Sequence, residues 1–151
     1  MMGKYLYVDT SVLVSWATLD SEREKMLDWK GRFEKMGTSE IAVVECQAGV
    51  TWQIENKLTD DQKTRAEQNL NRILMMTDLY AIDSIVLGSA RHLVKRYRVL
   101  KGLRTLDAIH LATALLIHQS LQGTGTEFEY LTADRRQHEA FTAEGFVGNL
   151  I

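Results

Sequence analysis

The sequence predicts an α/β protein with a mainly parallel sheet and helices on both of its faces. Three observations carry that expectation. Short β-branched or aromatic runs recur at residues 5–8, 79–82, 128–131 and 146–150. Between them lie segments with apolar residues at three- and four-residue steps, the spacing of one helix face. Strands joined through helices need crossover connections, and these lay the strands parallel and the helices over the sheet.

Each element has its local reason. The run Tyr5-Leu-Tyr-Val8 ends at Asp9, and Thr10-Ser11 offers a helix start ahead of Val12, Leu13, Val14 and Trp16. Residues 21–36 are charged, with Met26, Trp29 and Phe33 at helical spacing, so they read as an amphipathic helix stopped by Gly37. A more buried helix is expected over 41–56, since only Glu45, Gln47 and Thr51 are polar among its first 12 residues. Residues 59–77 open on Thr-Asp-Asp-Gln, an acidic first turn that the helix dipole favours.

The run 79–82 reads as the second strand and 84–97 as the helix after it. A turn at Lys101-Gly102 leads into an apolar helix over 105–122, with Thr105 as its cap and Leu106, Ile109, Ala112, Leu115 and Leu116 on one face. Gly123-Thr-Gly125 breaks that helix. The third strand is expected at 128–131, a short helix at 134–144 ended by Gly145, and a closing strand at 146–150.

Composition bounds the function. With 45% hydrophobic and 25% charged residues the usage is that of a globular protein, which excludes disordered and low-complexity classes. The 151 residues suit one domain spanning 1–151. A single cysteine, Cys46, rules out an internal disulfide and any multi-cysteine zinc or iron–sulfur site, and suits a reducing cytoplasm. No apolar stretch approaches the ~18 residues of a membrane helix, and Asp9 interrupts the apolar run after Lys4 that could pass for a signal peptide. The expectation is a cytoplasmic protein with no membrane partner. A net charge of −2 argues against a polyanion binder that uses its whole surface, and leaves a local basic patch open.

Such a patch exists. Between Ser84 and Leu106 there is no acid, while Arg91, Lys95, Arg96, Arg98, Lys101 and Arg104 supply six cations. The stretch leads straight into Asp107, in the first turn of the apolar helix. Cations to hold a phosphodiester backbone beside a carboxylate able to hold metal suit nucleic-acid chemistry, although a solvated helix face has the same composition. Asp9 and Asp134 each sit just after a strand, where open α/β sheets bind ligands, and each is also a good helix N-cap. Glu45 lies in the apolar run Ile41-Ala-Val-Val-Glu-Cys-Gln-Ala-Gly-Val. There a carboxylate must reach water, pair with a cation or bind metal. Gly49, one turn on, leaves room beside it. Acids converging from separate elements repel unless a cation sits between them, and all-oxygen ligation describes Mg²⁺ or Mn²⁺. His92, His110, His118 and His138 show no paired zinc spacing with one another or with Cys46.

Four blocks, Tyr-Val-Asp9-Thr-Ser-Val-Leu, Ser-Glu-Ile-Ala-Val-Val-Glu45, Leu-Asp107-Ala-Ile-His-Leu-Ala-Thr-Ala and Leu-Thr-Ala-Asp134-Arg-Arg, resemble in order the acidic blocks of the PIN-domain family. The similarity covers essentially the whole chain and is nearest to the small VapC-type ribonuclease toxins of toxin–antitoxin pairs. The resemblance implies a three-layer α/β/α fold with a central, mainly parallel four- to five-stranded sheet. It also implies a metal pocket of Asp9, Glu45, Asp107 and Asp134, with Thr10, Ser11 and Thr132 orienting the carboxylates. Glu45 matches the family spacing better than Glu40, and the fourth block has no second acid before Glu139. The activity implied is Mg²⁺- or Mn²⁺-dependent hydrolysis of RNA by a homodimer that a small VapB-like antitoxin silences. Arg91, Arg98 and Arg104 are the candidates for the RNA path. Two alternatives stand beside this reading: a PIN-like scaffold that only binds protein or RNA, and an aspartyl-phosphate phosphatase or phosphoacceptor, whose usual Asp-x-Asp pair is interrupted here by Ser11.

Overall fold

The computed structural model describes residues 3–151, apart from the side chains of residues 20–23. Met1 and Met2, the start of the expected 1–151 span, lie outside the described residues. In chain order the elements are β1 (Lys4–Val8), α1 (Thr10–Thr18), α2 (Asp20–Arg32), β2 (Lys35–Ser39), α3 (Ala42–Asn56), α4 (Asp60–Met75), β3 (Asp78–Tyr80), α5 (Ser84–Lys101), α6 (Thr105–Leu121), β4 (Glu127–Thr132), α7 (Arg135–Ala143) and β5 (Val147–Leu150). The five strands form one sheet in the order β3-β2-β1-β4-β5, and every pairing is parallel.

Alternation along β1 sorts the two faces of the sheet. Leu6 and Val8 pack with Trp16, Met36, Cys46, Leu70 and Ile73 under α1 to α4. Tyr5 and Tyr7 face the other way, into a core with Leu93, Leu111, Tyr130 and Phe141 from β4 and α5 to α7. The result is the three-layer arrangement expected. No described helix is long and apolar enough to cross a membrane.

The structure corrects several expectations. The amphipathic helix ends at Arg32, where Phe33 is already extended (φ −123°, ψ 139°), and does not run on to Met36. Lys35-Met-Gly-Thr-Ser39 is instead β2, so the run at 79–82 supplies the third strand and not the second. Local propensity did not announce β2, because its stability comes from pairing. It lies between β1 and β3, with Leu6 opposite Met36 and Thr38 opposite Leu79. Gly37 is required there: a Cβ would fall on the Tyr5 hydroxyl and come within 2.9 Å of a Tyr80 ring carbon. Over that glycine the Tyr5 hydroxyl donates to the Tyr80 hydroxyl at 2.8 Å.

Helix α5 continues to Lys101 and ends on Gly102, whose φ of 67° is the left-handed cap that glycine accommodates. The cap of α6 is Arg104, not Thr105. Nor is α6 one-sided: residues 108–114 are all buried, while Leu106, expected in the core, is exposed. The helix is packed between α5, α7 and the sheet, so its middle turns are buried all round, the polar His110 and Thr113 included, and its two ends escape the core. Gly49 does not leave a space beside Glu45, because a Cβ there would meet Val14 at 2.8 Å. The glycine lets α1 and α3 approach closely.

Because both tyrosines at Gly37 are held in place, Gly37→Ala is expected to destabilise the protein by about 1–3 kcal/mol, the usual cost of overpacking. Urea denaturation checks this, with an unchanged m-value showing that stability itself has moved.

Candidate active site

From β1 the chain moves outward to β2 and β3, then returns to lay β4 on the opposite flank of β1. The strand order therefore reverses between β1 and β4, and in open α/β sheets that reversal opens a crevice at the carboxyl ends of the two strands. Val8 pairs with Leu131, and the Asp9 N–H donates to the Leu131 carbonyl at 3.2 Å. Asp9 thus stands where β1 ends, and Asp134 two residues past the end of β4.

Asp9 is 2% exposed. It caps α1 through Oδ1, which accepts the Val12 N–H at 3.3 Å and the Ser11 hydroxyl, while Oδ2 accepts the Thr132 hydroxyl at 2.6 Å. Burial pushes its carboxyl pKa up, against the pull of the His110 charge and these donors. Ser11 and Thr132 serve twice, since their oxygens also accept the N–H groups of Ala133 and Asp134 at 3.2 and 2.9 Å. One polar net therefore ties the start of α1 to the turn after β4.

Glu45, in the first turn of α3, accepts the Thr10 hydroxyl at 2.9 Å and His110 Nε2 at 2.8 Å on the same oxygen, Oε1. Burial pushes this carboxyl up, but the hydrogen bond and charge of His110, with the bond from Thr10, outweigh it and hold the pKa below its ordinary value. Asp107 accepts the Arg104 N–H at 3.1 Å on Oδ2 and Gln137 Nε2 at 2.7 Å on Oδ1. Asp134 caps α7, with Oδ1 taking the N–H groups of Arg136 and Gln137 at 2.8 and 3.4 Å. Asp9 and Asp134 are thus N-caps as well as site candidates.

The buried tyrosines beneath feel the charges of these acids. Burial, reinforced by the charges of Asp9, Asp107 and Asp134, pushes the Tyr130 phenol far above its ordinary range. Tyr7 is raised chiefly by burial and also by the charges of Asp9 and Glu45. Glu40 turns elsewhere: Oε1 accepts the Ile82 N–H at 3.0 Å, pinning the segment between β3 and α5. Among the cations, Arg98 reaches the Leu103 carbonyl at 3.5 Å across the α5–α6 turn, and Arg104 is exposed beside Asp107. Arg91 is exposed seven residues back along α5, about 10 Å at 1.5 Å per residue. Arg96 is paired with Glu144 at 3.2 Å.

Sequence reasoning missed His110 and Gln137, which bond Glu45 and Asp107, and Tyr7 and Tyr130, which bond those two residues from behind. The available signals were spacing, with His110 one turn after Asp107 and Gln137 one turn after Asp134, and the oddity of a histidine in an apolar helix. Among the described residues, no group of three or more His, Cys, Asp or Glu side chains is arranged to hold a metal ion. The donor chemistry nevertheless suits a hard divalent cation. The acids offer only oxygen, Thr132 hydrogen-bonds to both Asp9 and Asp134 and Gln137 to both Asp107 and Asp134, and among the described residues the buried Asp9 carboxylate has no Lys or Arg hydrogen-bonded to it.

The family model of the PIN domain matches residues 6–140. The chain belongs to the PIN domain family. No curated protein matches the sequence. Among solved structures, this PIN domain is similar to FitAcB from Neisseria gonorrhoeae, at 21% identity and a TM-score of 0.66, over 95% of this chain and 96% of that one. It is also similar to VapBC2 from Rickettsia felis bound to a DNA fragment from their promoter, at 14% identity and a TM-score of 0.65, over 97% and 98% of the two chains. A third is VapBC-5 from Mycobacterium tuberculosis, a member of the VapBC family of toxin–antitoxin systems, at 19% identity and a TM-score of 0.57, over 97% of each. At these identities the likeness is one of fold.

The raised pKa of Asp9 has a definite consequence for stability. Its folded value lies above the unfolded one, so the folded protein binds more protons between the two, and stability falls as pH rises through that interval. In EDTA, wild type is therefore expected to lose stability relative to Asp9→Asn as pH rises through that interval, whatever the variant loses by turning one accepting oxygen into an NH₂ donor. Thermal melts of both proteins across pH check this, and a difference in melting temperature that does not change with pH contradicts it.

Proposed function

We infer that this PIN domain is a metal-dependent endoribonuclease, the toxin of a toxin–antitoxin pair restrained by a small VapB-like antitoxin. The observation that carries the reading is Asp9, buried and triply hydrogen-bonded at the β1–β4 reversal, in a polar net that Thr132 extends to the backbone of Asp134. The fold likeness to the FitAcB and VapBC structures supports the toxin assignment.

Asp9, Glu45, Asp107 and Asp134 would hold Mg²⁺ or Mn²⁺. When bound, the ion supplies an activated water at neutral pH and stabilises charge on the phosphate under attack. The chain's own groups do the rest. Ser11 and Thr132 keep Asp9 in one rotamer, Thr10 does so for Glu45, and Asp134 Oδ2, which has no hydrogen bond among the described residues, would orient water. Arg104, whose backbone N–H bonds Asp107, and Arg98, which reaches across the α5–α6 turn, would engage the RNA backbone, with Arg91 extending the path along α5. No protein nucleophile is needed: Cys46 is fully buried, and burial pushes its thiol up to about 12. Homodimerisation would cover apolar side chains such as Val44, Val99 and Leu100, which α3 and α5 leave exposed.

Cleavage of a structured RNA with and without EDTA tests the reading. Activity is expected to require Mg²⁺ or Mn²⁺ and to fall at least ~100-fold in both Asp9→Asn and Asp107→Asn. Full activity in both variants removes the nuclease assignment and leaves the binding scaffold. Arg104→Ala is expected to weaken RNA binding with little dependence on sequence and to lower the salt slope of log K by about 0.7–1, the signature of one lost phosphate contact.

A further inference from the structure

Beneath the acids, Tyr7 of β1 and Tyr130 of β4 sit directly opposite each other in the parallel register. Both are fully buried, with ring centroids 5.2 Å apart and planes 11° from parallel. Each hydroxyl begins a chain of hydrogen bonds that ends on a different carboxylate. The Tyr7 hydroxyl accepts the Ser39 N–H at 3.1 Å and meets His110 Nδ1 at 2.7 Å, and His110 Nε2 meets Glu45 Oε1 at 2.8 Å. The Tyr130 hydroxyl donates to Gln137 Oε1, and Gln137 Nε2 donates to Asp107 Oδ1 at 2.7 Å.

Donor and acceptor arithmetic fixes the carboxylate end of both chains. A carboxylate only accepts, so His110 Nε2 carries a proton toward Glu45; Nδ1 accepts the Tyr7 proton when the ring is neutral and donates to the Tyr7 oxygen when it is charged, and the chain stays linked in both forms. The Tyr7 hydroxyl can take either part because it has one proton and a second lone pair beside the one that takes the Ser39 N–H. By the same logic the Gln137 carboxamide must point its NH₂ at Asp107, and the oxygen end receives the Tyr130 proton. Without that phenol either orientation of the amide would leave some partner unsatisfied, and one of them would set the amide oxygen against the carboxylate. Glu45 Oε2 carries no hydrogen bond among the described residues, so the chain from Tyr7 fixes one oxygen of that acid and leaves the other presented.

We propose that the stacked pair Tyr7 and Tyr130 positions the metal-binding acids, Tyr7 acting on Glu45 through His110 and Tyr130 acting on Asp107 through Gln137. The inference rests on the metal-dependent reading above and assigns four positioning residues that touch neither RNA nor metal. The stack makes the two arms one unit, because a shift of either ring moves the anchor of both chains. Groups that orient a metal ligand in this way commonly change affinity by about 10–100-fold when removed.

The test measures Mn²⁺ affinity by EPR titration, which needs no RNA and no turnover. Tyr7→Phe and Tyr130→Phe keep the stacked rings and remove only the hydroxyls, and each is expected to weaken Mn²⁺ at least ~10-fold. The routing is read from double-mutant cycles. The Tyr7→Phe loss disappears in a Glu45→Gln background and persists in Asp107→Asn, and the Tyr130→Phe loss shows the reverse pattern. His110→Gln, which can still donate to Glu45 and accept from Tyr7, retains most of the affinity, while His110→Leu does not; this pair decides the matter should a phenylalanine variant not fold. Unchanged Mn²⁺ affinity in folded Tyr→Phe or His110→Leu proteins overturns the positioning role, even if their melting temperatures drop. Failure of the underlying reading looks different: wild type then binds no Mn²⁺, or Asp9→Asn binds it equally well.

Discussion

A carboxylate held almost entirely away from water at the end of β1 is the constraint around which the rest of the chain is arranged. Burying an ionised group without compensation costs several kcal/mol, so Asp9 is tolerable only where donors surround it. One donor comes from the helix it caps, one from Ser11 two residues on, and one from Thr132 at the end of a strand 123 residues away in sequence. That last bond exists only if β4 lies beside β1 in the register that sets Val8 against Leu131. The site and the sheet topology are therefore specified together. A slip of one residue would turn Tyr7 and Tyr130 away from their core and remove Thr132 from Asp9.

The other acids depend on helix packing more than on the sheet. Glu45 reaches Thr10 and His110 because α3 sits close against α1, and Gly49 is what lets Val14 in. Asp107 and His110 lie one turn apart on α6, whose residues 108–114 are all buried, so Asp107 is carried at the head of a firmly packed helix. Its carboxylate emerges only at the first turn, where the chain leaves the core and Arg104 and Leu106 are exposed. A rigid helix ending at a crevice holds an acidic group without a loop, and the required precision comes from burial of the next two turns.

What the sequence disclosed and what it withheld divide along the same line. The position of Asp9 and Asp134 after strands, the capping residues of both, and the change from β-branched or aromatic runs to helical spacing are local patterns, and all were legible. Strand β2 was not, because Lys35-Met-Gly-Thr-Ser39 has little strand propensity and is held by neighbours distant in sequence. Gly49 was read as open space because the pattern shows a missing side chain and not the Val14 that fills the gap. His110 and Gln137 were invisible as positioning groups for a related reason. A histidine among alanines and leucines reads as core, and only the contact with a tyrosine from another strand gives its two nitrogens different tasks.

The balance of charge around the crevice follows from having to serve two ligands of opposite sign. On the nuclease reading, RNA must bring a phosphate to a place where four carboxylates direct their field, and a chain of net charge −2 offers no general attraction to help. Arg98 and Arg104 at the α5–α6 turn can hold the flanking backbone, but they cannot cancel the acids, since Arg104 lies on the approach and Arg96 is already committed to Glu144. A divalent cation changes the sign of the interaction at the centre of the pocket, so metal and RNA must favour each other's binding. By linkage that coupling is reciprocal. Until that cation arrives, the hydrogen bonds that the acids accept from Thr10, Ser11, Thr132, His110 and Gln137 offset the repulsion among them.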